Sequence, residues 1–193
     1  MRTILKALLH WTCVLTSTCW LLGCSAISSF LAERSVSQYW YQVQSAVPAP
    51  TKVLASHFVT LEFKDKKLSS INQMEWSKDG FFLGAYSHFG GALFSLAYQD
   101  NELHSKISPA IPSYFNADFV LRDYQLSFLP VDAIEQGLVD DSVEVYSSEL
   151  KRVFRRDNQE LVSIEYTTTQ PWLGDTKLVN HEYGYTLTFE ALP

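Results

Sequence analysis

Hydrophobic residues recur at every second position along most of the chain from Lys52 onward. In the first run, His57, Val59, Leu61 and Phe63 fall on one side of an extended chain, and similar runs follow. A period of two is the pattern of a β-strand with one apolar face. Turn-forming residues separate the runs at short intervals, which predicts antiparallel hairpins and a meander in this half of the domain. The turn signals are Lys64-Asp65-Lys66, Lys78-Asp79-Gly80, Phe89-Gly90-Gly91 and Gln99-Asp100-Asn101.

The pattern changes between Pro109 and Gly137, where apolar residues suggest two short helices. Asn116 is the candidate N-cap of the first helix, and Pro130 opens the second. Strand patterns then resume and continue to the C-terminus, and Asp157-Asn158 and Tyr183-Gly184 lie near predicted turns or bends. The apolar residues on one side of each of these predicted strands are, in order, Val143 and Val145; Val153; Val162, Ile164 and Tyr166; Leu178; and Tyr183, Tyr185, Leu187 and Phe189.

Together these patterns predict about nine to eleven strands and a helical insertion near the middle of the chain. We therefore expect a mainly β, α+β domain in which a curled antiparallel sheet forms a half-barrel and the helices cover its open side as a lid. Such a layout encloses apolar volume. Apolar stripes line ligand cavities, but they more commonly form an ordinary core, so periodicity leaves both alternatives open.

The N-terminal residues are typical of a bacterial export signal. Arg2 and Lys6 precede an apolar run, Ala7 to Leu22, which Thr and Ser interrupt and which is too short to span a bilayer comfortably. The run ends in Leu21-Leu22-Gly23-Cys24, which resembles the lipobox at which bacteria cleave and acylate lipoproteins. We expect a signal peptide over residues 1–23 and a lipid on Cys24. The alternatives are an uncleaved anchor or cleavage elsewhere.

The expected lipidation leaves the mature chain without a free thiol. Cys13 and Cys19 fall within the signal peptide, and acylation consumes the thiol of Cys24. A disulfide framework is therefore excluded, and stability must come from a hydrophobic core in a single domain. The chain is also acidic, with 15 Lys plus Arg against 21 Asp plus Glu and a net charge of −6. This balance argues against a nucleic-acid partner.

Residues 24–50 carry weak and ambiguous signals, and we interpret them as a lipidated N-terminus and tether. Aromatic residues at Tyr39, Trp40 and Tyr41 either lie at the membrane interface or pack on the domain. Pro48-Ala49-Pro50 ends this segment, so the compact domain is expected over residues 51–193.

Signatures of catalysis and metal binding are absent from the sequence. There is no nucleophile elbow, zinc-binding helix or phosphate-cradling glycine loop. His57, His88, His104 and His181 lie on separate predicted elements, and no two of them are paired at short metal-ligand spacing. We predict no catalytic residue, no metal and no cofactor.

Several stretches share their order of apolar and turn residues with a known family. They are Leu83 to Leu96, Leu126 to Ile134, Arg155 to Tyr166 and Gly184 to Phe189. This pattern resembles an uncharacterised bacterial lipoprotein family, known only as a domain of unknown function, whose members occur beside genes for aryl-polyene lipid synthesis. That family in turn resembles LolB, the outer-membrane receptor that accepts lipoproteins from the periplasmic carrier LolA.

The resemblance implies a half-closed barrel with a helical lid over an apolar cavity that holds acyl chains. In LolB a loop ending in Leu-Gly projects an apolar residue that delivers cargo to the membrane. Phe89 and Gly90 match that loop, with Phe in place of Leu, and Phe89 either inserts into lipid or folds back on the sheet. The implied cavity residues are Val59, Leu61, Phe63, Met74, Trp76, Phe94, Leu96, Tyr98, Val162, Ile164, Tyr185 and Leu187.

The expected function is therefore noncatalytic. We expect an acyl-anchored protein on the periplasmic face of the outer membrane, because Ser25 rather than Asp follows the acylated cysteine. It would bind an acyl chain, a lipoprotein or a polyene lipid and help transfer it to the membrane, with a LolA-like carrier as the implied donor. The alternative is a scaffold or interaction lipoprotein whose interior is solid core.

Overall fold

The computed structural model of the chain describes residues 40–44, 52–112 and 115–193. The predicted signal peptide, Cys24 and the rest of the predicted tether lie outside the described residues. The described strands form one antiparallel sheet of ten strands that is not closed into a barrel. They are β1 Val53–Phe63, β2 Lys66–Ser77, β3 Gly80–Tyr86, β4 Ala92–Gln99, β5 Glu102–Ile107, β6 Val143–Ser147, β7 Lys151–Arg156, β8 Gln159–Tyr166, β9 Thr176–Asn180 and β10 Tyr185–Ala191.

The sheet consists of two meanders of consecutive strands. Its order is β5-β4-β3-β2-β1-β10-β9-β8-β7-β6, so the first and last strands of the chain pair in the middle. The predicted antiparallel meander and strand count are confirmed. Among the described residues, β5 and β6 are the two edge strands.

Tight turns at the predicted positions fix the register of these hairpins. Asp100 and Asn101 join β4 to β5, and Asp157 and Asn158 join β7 to β8; all four have positive φ angles between 49° and 65°. Two consecutive residues in the left-handed region make the turn whose twist matches that of paired strands, and Asp and Asn tolerate this backbone best.

The helical insertion links the two edge strands and therefore has to cross one face of the sheet. Helix α1 spans Ala117–Phe128 and helix α2 spans Val131–Glu135. The predicted N-cap is confirmed, because Asn116 Oδ1 accepts a hydrogen bond of 2.8 Å from the amide of Asp118. Every residue of α1 from 121 to 128 is buried. We call the sheet face against α1 the inner face and the opposite face the outer face.

Two side chains from the second meander, one in β7 and one in β8, hold the C-terminal end of α1. Arg152 Nη1 donates to the carbonyl of Leu126 at 2.5 Å, and the hydroxyl of Tyr166 donates to the carbonyl of Ser127 at 2.9 Å. Carbonyls in the last turn of a helix have no partner within the helix, and a cation there also complements the helix dipole. The inner face thus fixes the position of α1.

Residues 40–44 contact both α1 and the inner face of the sheet, where Trp40 packs on Phe154 with ring centroids 5.1 Å apart, and we call these residues the strap. Within the strap, Trp40 and Tyr41 are 2% and 3% exposed. The side-chain amide of Gln125 in α1 receives a hydrogen bond from the hydroxyl of Tyr41 and donates one to the carbonyl of Gln44, both at 2.8 Å. Trp40 and Tyr41 therefore pack on the domain, whereas Tyr39 lies outside the described residues.

No helix within the described ranges has the length and apolar character needed to cross a membrane.

Candidate ligand and membrane site

The strand register places all twelve predicted cavity residues on the inner face. Leu61 lies opposite Leu187, and Phe63 lies opposite Tyr185. Across the first meander, Leu83 pairs with both Met74 and Leu96, while Phe81 pairs with both Trp76 and Tyr98. The remaining four, Val59, Phe94, Val162 and Ile164, fall on the same side by register. The twelve residues therefore share one face of the sheet, and their role as the lining of a ligand cavity stays a prediction.

Burial divides this face into two zones. Six of the predicted residues belong to the buried core: Val59, Met74, Trp76, Leu96, Val162 and Ile164. By contrast, Leu61, Phe63, Tyr185 and Leu187 are only partly buried, near the β1–β2 and β9–β10 turns. Leu68, which pairs with Leu61, is 46% exposed. We call Leu61, Phe63, Leu68 and Leu187 the open apolar patch.

Leu68 was not among the predicted cavity residues. The signal that could have found it is its spacing, because its position differs by an even number from those of Met74 and Trp76, which places all three on one side of β2.

Helix α1 fills the space over the middle of the inner face. Tyr124 and Phe128 of α1 pack on Phe189 of β10 with ring centroids 5.2 and 5.3 Å apart, and Tyr124 also reaches Phe81 at 5.8 Å. The hydroxyl of Tyr124 accepts a hydrogen bond from Asn72 at 2.8 Å. The helix therefore belongs to the core, and a lid over an empty cavity stays a prediction.

Phe89 stands at the tip of the β3–β4 hairpin and is 100% exposed. The loop is held by backbone hydrogen bonds from Ser87 to Gly91 and from Gly90 to Ser87, at 2.8 and 2.9 Å. Gly90 has a φ of 79°, a conformation that favours glycine. Neighbouring His88 packs edge-on against Phe58 of the outer face, with ring centroids 5.2 Å apart. Of the two alternatives for Phe89, the structure has the projecting one.

A buried polar cluster links α1 to β10 next to the open apolar patch. Asp123 receives hydrogen bonds from the guanidinium of Arg122 at 3.0 Å and from the hydroxyl of Tyr185 at 2.5 Å. Burial raises the pKa of Asp123, and Arg122 and Tyr185 oppose that shift. Burial and the neighbouring carboxylate raise the pKa of Tyr185. Sequence analysis missed this cluster, because Tyr185 lies 62 residues from Asp123 along the chain.

His57 is a buried residue without a polar partner among the described residues. Its side chain is 0% exposed, and neither ring nitrogen has a hydrogen-bond partner there. The ring stacks on Phe128 at 5.3 Å and meets Phe189 edge-on at 6.0 Å. Burial lowers the pKa of His57 below its usual value of 6.5, against smaller opposing effects of the nearby Trp172 backbone and Asp175. The neutral imidazole thus acts as part of the aromatic core.

The structure also brings together a serine, a histidine and a carboxylate that the sequence did not connect. Ser163 Oγ lies 3.0 Å from Nε2 of His181, and Oε2 of Glu160 lies 3.7 Å from the same nitrogen. In a catalytic triad the carboxylate binds the other ring nitrogen and orients the base. Here Arg155 holds Glu160 at 2.7 Å instead. This arrangement is a surface polar network without the geometry of a catalytic triad.

Within residues 40–44, 52–112 and 115–193, no group of three or more His, Cys, Asp or Glu side chains is placed to hold a metal ion. The four histidines named from the sequence remain apart: His57 is in the core, His88 packs on Phe58, and His104 and His181 contact separate glutamates.

A broad groove of about 1480 Å³ runs along the outer face of the first meander. Gln73, Gly84 and Ser95 form one row of its floor, and the row continues to Lys106. Trp172 and the C-terminal residues Ala191 to Pro193 also line it. This lining mixes polar and apolar groups, so the groove differs in character from the open apolar patch on the opposite face.

The fold is thus a mostly β domain in which one open ten-stranded antiparallel sheet packs on a buried helix. Residues 54–193 match a family model described as "Protein of unknown function (DUF3261)", and the chain belongs to that family. A search of curated proteins found no match.

Proposed function

We propose that this chain is a noncatalytic, acyl-anchored lipoprotein of the outer membrane that binds an apolar ligand and helps transfer it into the membrane. The ligand class is a hydrocarbon chain, carried by a fatty acid, a lipoprotein or a polyene lipid. The observation that carries the proposal is the complete exposure of Phe89 at a hairpin tip. Burying such a side chain in lipid gains about 1.5–3 kcal/mol, which favours contact of this loop with a bilayer.

The position of the open apolar patch supports the same proposal. The β1–β2 and β3–β4 turns lie at the same end of the sheet, because β2 pairs antiparallel with both β1 and β3. The patch lies next to the first of these turns, and Phe89 is in the second. A hydrocarbon chain bound on the patch would therefore be held at the end of the domain that Phe89 directs towards lipid.

The burial of α1 favours the patch over the middle of the inner face as the site of the ligand. The aromatic contacts among Tyr124, Phe128 and Phe189 occupy the middle zone. Interiors packed in this way leave no room for a hydrocarbon chain unless the helix moves. At the patch, Leu68 is already accessible to a ligand.

The test is transfer of a fluorescent fatty acid from the full chain to phosphatidylethanolamine and phosphatidylglycerol vesicles. Phe89→Glu is expected to slow transfer by roughly tenfold or more, because it removes the apolar contact and adds a charge at the bilayer. Phe89→Leu is the matched control and should retain transfer. Capture of the fatty acid and thermal stability should be unchanged in both variants. Unchanged transfer by Phe89→Glu, or an equal loss of capture, would contradict the proposal.

One observation favours a second candidate, a scaffold or interaction lipoprotein. The complete burial of α1 from residue 121 to 128 gives the domain a solid centre, as a protein without a ligand would have. Mass spectrometry of lipids that copurify with the chain separates the two candidates. Stoichiometric lipid supports transfer, and its absence, together with failure to capture added fatty acid, supports the scaffold.

A further inference from the structure

The free edge of β5 presents backbone groups that no described residue pairs with. The amide of Ser108 donates to the carbonyl of Leu93 at 2.8 Å, so Ser108 and Leu93 form a hydrogen-bonded pair across β4 and β5. In an antiparallel ladder, the backbone N–H and C=O groups of successive residues point alternately towards the partner strand and away from it. The N–H and C=O groups of Glu102, His104 and Lys106 therefore point towards β4, and those of Leu103 and Ser105 point outward.

This edge lacks two of the features that block pairing with another strand, a bulge and a proline. Proteins also protect edges with charged side chains, and β5 carries two, Glu102 and Lys106. The pairing of β5 with β4 is regular over its length, and β5 contains no proline. The β3–β4 and β7–β8 pairs, by contrast, each contain an irregularity. All of β5 except Leu103 is exposed.

The outer-face side chains of β5 carry charges in a self-complementary order. Glu102, His104 and Lys106 follow one another at every second position. If two copies of β5 pair antiparallel about an axis through His104, Glu102 of each copy faces Lys106 of the other. Opposite charges directly across a strand pair are stabilising, and like charges are destabilising.

We propose that this edge joins two copies of the chain through antiparallel pairing of their β5 strands. The register centres on His104, so that each Leu103 faces Ser105 of the second copy on the inner face. Leu103 and Ser105 supply the outward backbone groups, which form reciprocal hydrogen bonds across the two-fold axis. The result is one continuous sheet through both domains.

The opposite edge does not share this pattern. On β6 the corresponding outer-face residues are Glu144 and Tyr146, and the hydroxyl of Tyr146 donates a hydrogen bond to Glu144 within the strand. Pairing β6 with its own copy would place no positive charge opposite Glu144. The charge order therefore distinguishes β5 as the edge that fits a second copy.

Cysteine crosslinking in the full chain, expressed in a bacterial envelope, tests this register. In the proposed pair, the Cα atoms of the two His104 residues are about 4.5 Å apart, within the range of about 4.4–6.8 Å that a disulfide needs. His104→Cys should give a disulfide-linked dimer on a non-reducing gel after mild oxidation. Glu102→Cys is the matched control on the same strand and face, because its two copies would lie roughly 13 Å apart. The unsubstituted chain, which contains Cys13, Cys19 and Cys24, gives the background.

Charge reversal in the His104→Cys background tests the complementarity. Glu102→Lys should lower the dimer yield about tenfold, because it places like charges opposite each other. Adding Lys106→Glu reverses both charges and should restore the yield. Glu144→Lys, on the other edge, should leave it unchanged.

Three results would overturn the proposal. One is a dimer yield for His104→Cys no higher than background. Another is equal crosslinking by Glu102→Cys, which would indicate random collision. The third is failure of the double reversal to restore a yield that Glu102→Lys has lowered. None of these outcomes depends on whether the protein transfers lipid, so the pairing and the proposed function are tested separately.

Discussion

The hydroxyl of Tyr185 on β10 donates a hydrogen bond of 2.5 Å to Oδ2 of Asp123 in α1. The same hydroxyl receives hydrogen bonds from Arg122 and from Asn180, at 3.0 and 3.1 Å. One side chain therefore connects the helix to two strands of the sheet. Because Asp123 and Arg122 are each only 3% exposed, water cannot readily replace these contacts.

Removal of this hydroxyl should destabilise the fold. We expect Tyr185→Phe to lower the free energy of unfolding by about 1–3 kcal/mol, since it leaves buried polar groups without a partner. Tyr146→Phe is the matched control, because Tyr146 is 50% exposed and its loss leaves no buried group unsatisfied. Urea unfolding followed by circular dichroism measures both. Equal effects of the two substitutions would show that the cluster contributes nothing specific.

His57 should make stability depend on pH below about 6.5. Burial lowers the pKa of His57 in the folded state, so the unfolded chain takes up a proton first as pH falls. The neutral ring therefore makes its full stabilising contribution at pH values above the pKa of His57 in the unfolded chain. This contribution decreases as pH falls from that value towards the lower pKa of His57 in the folded chain. The slope is at most about 1.4 kcal/mol per pH unit for one proton.

The measurement is the free energy of unfolding of His57→Leu and the unsubstituted chain between pH 7.5 and about 5. The difference between them should shift in favour of the variant as pH falls, because leucine cannot take up a proton. His88→Gln, which changes an exposed histidine, controls for surface effects. Parallel pH profiles for His57→Leu and the unsubstituted chain would contradict this assignment.

Substitution of two exposed leucines, one on each face of the sheet, tests which face binds the apolar ligand. Leu68 belongs to the open apolar patch of the inner face, and Leu54 lines the groove of the outer face. If the ligand binds the patch, Leu68→Gln should weaken binding of a dansyl-labelled fatty acid about tenfold, and Leu54→Gln should leave it unchanged. Fluorescence titration measures both. The reverse order would assign the ligand to the outer groove.

The sequence predicted the sheet well because local signals specify most of it. Alternating residues such as Val59, Leu61 and Phe63 define a face, and pairs such as Asp157-Asn158 define a turn. Asn116 and Pro130 marked the helix starts for equally local reasons. The pairing of β1 with β10 is different, because contacts between the two ends of a chain leave no local pattern.

The candidate site was only partly predictable. Periodicity placed the twelve apolar residues on one face, but it cannot distinguish a face that packs on a helix from one that holds a ligand. The deciding fact is that polar residues of α1, including Arg122, Asp123 and Gln125, are buried with partners far along the chain. A lid is the sequence-based expectation because a long antiparallel sheet curls and the helical insertion is placed over its open side.

The strap contacts the loop that follows α2. The amide of Gln42 donates to the carbonyl of Gly137 at 2.8 Å, and a Cβ atom on Gly137 would lie 2.5 Å from Cε2 of Tyr41 and 2.8 Å from the carbonyl oxygen of Gln42. Gly137→Ala should therefore displace the strap and cost about 1–3 kcal/mol of stability. Gly91→Ala is the control, because its nearest contact is the side chain of Ser87 at 3.3 Å. Hydrogen exchange followed by mass spectrometry should show faster exchange of residues 40–44 in Gly137→Ala alone. Unchanged protection of the strap would mean that Tyr41 and Gln42 adjust without leaving α1.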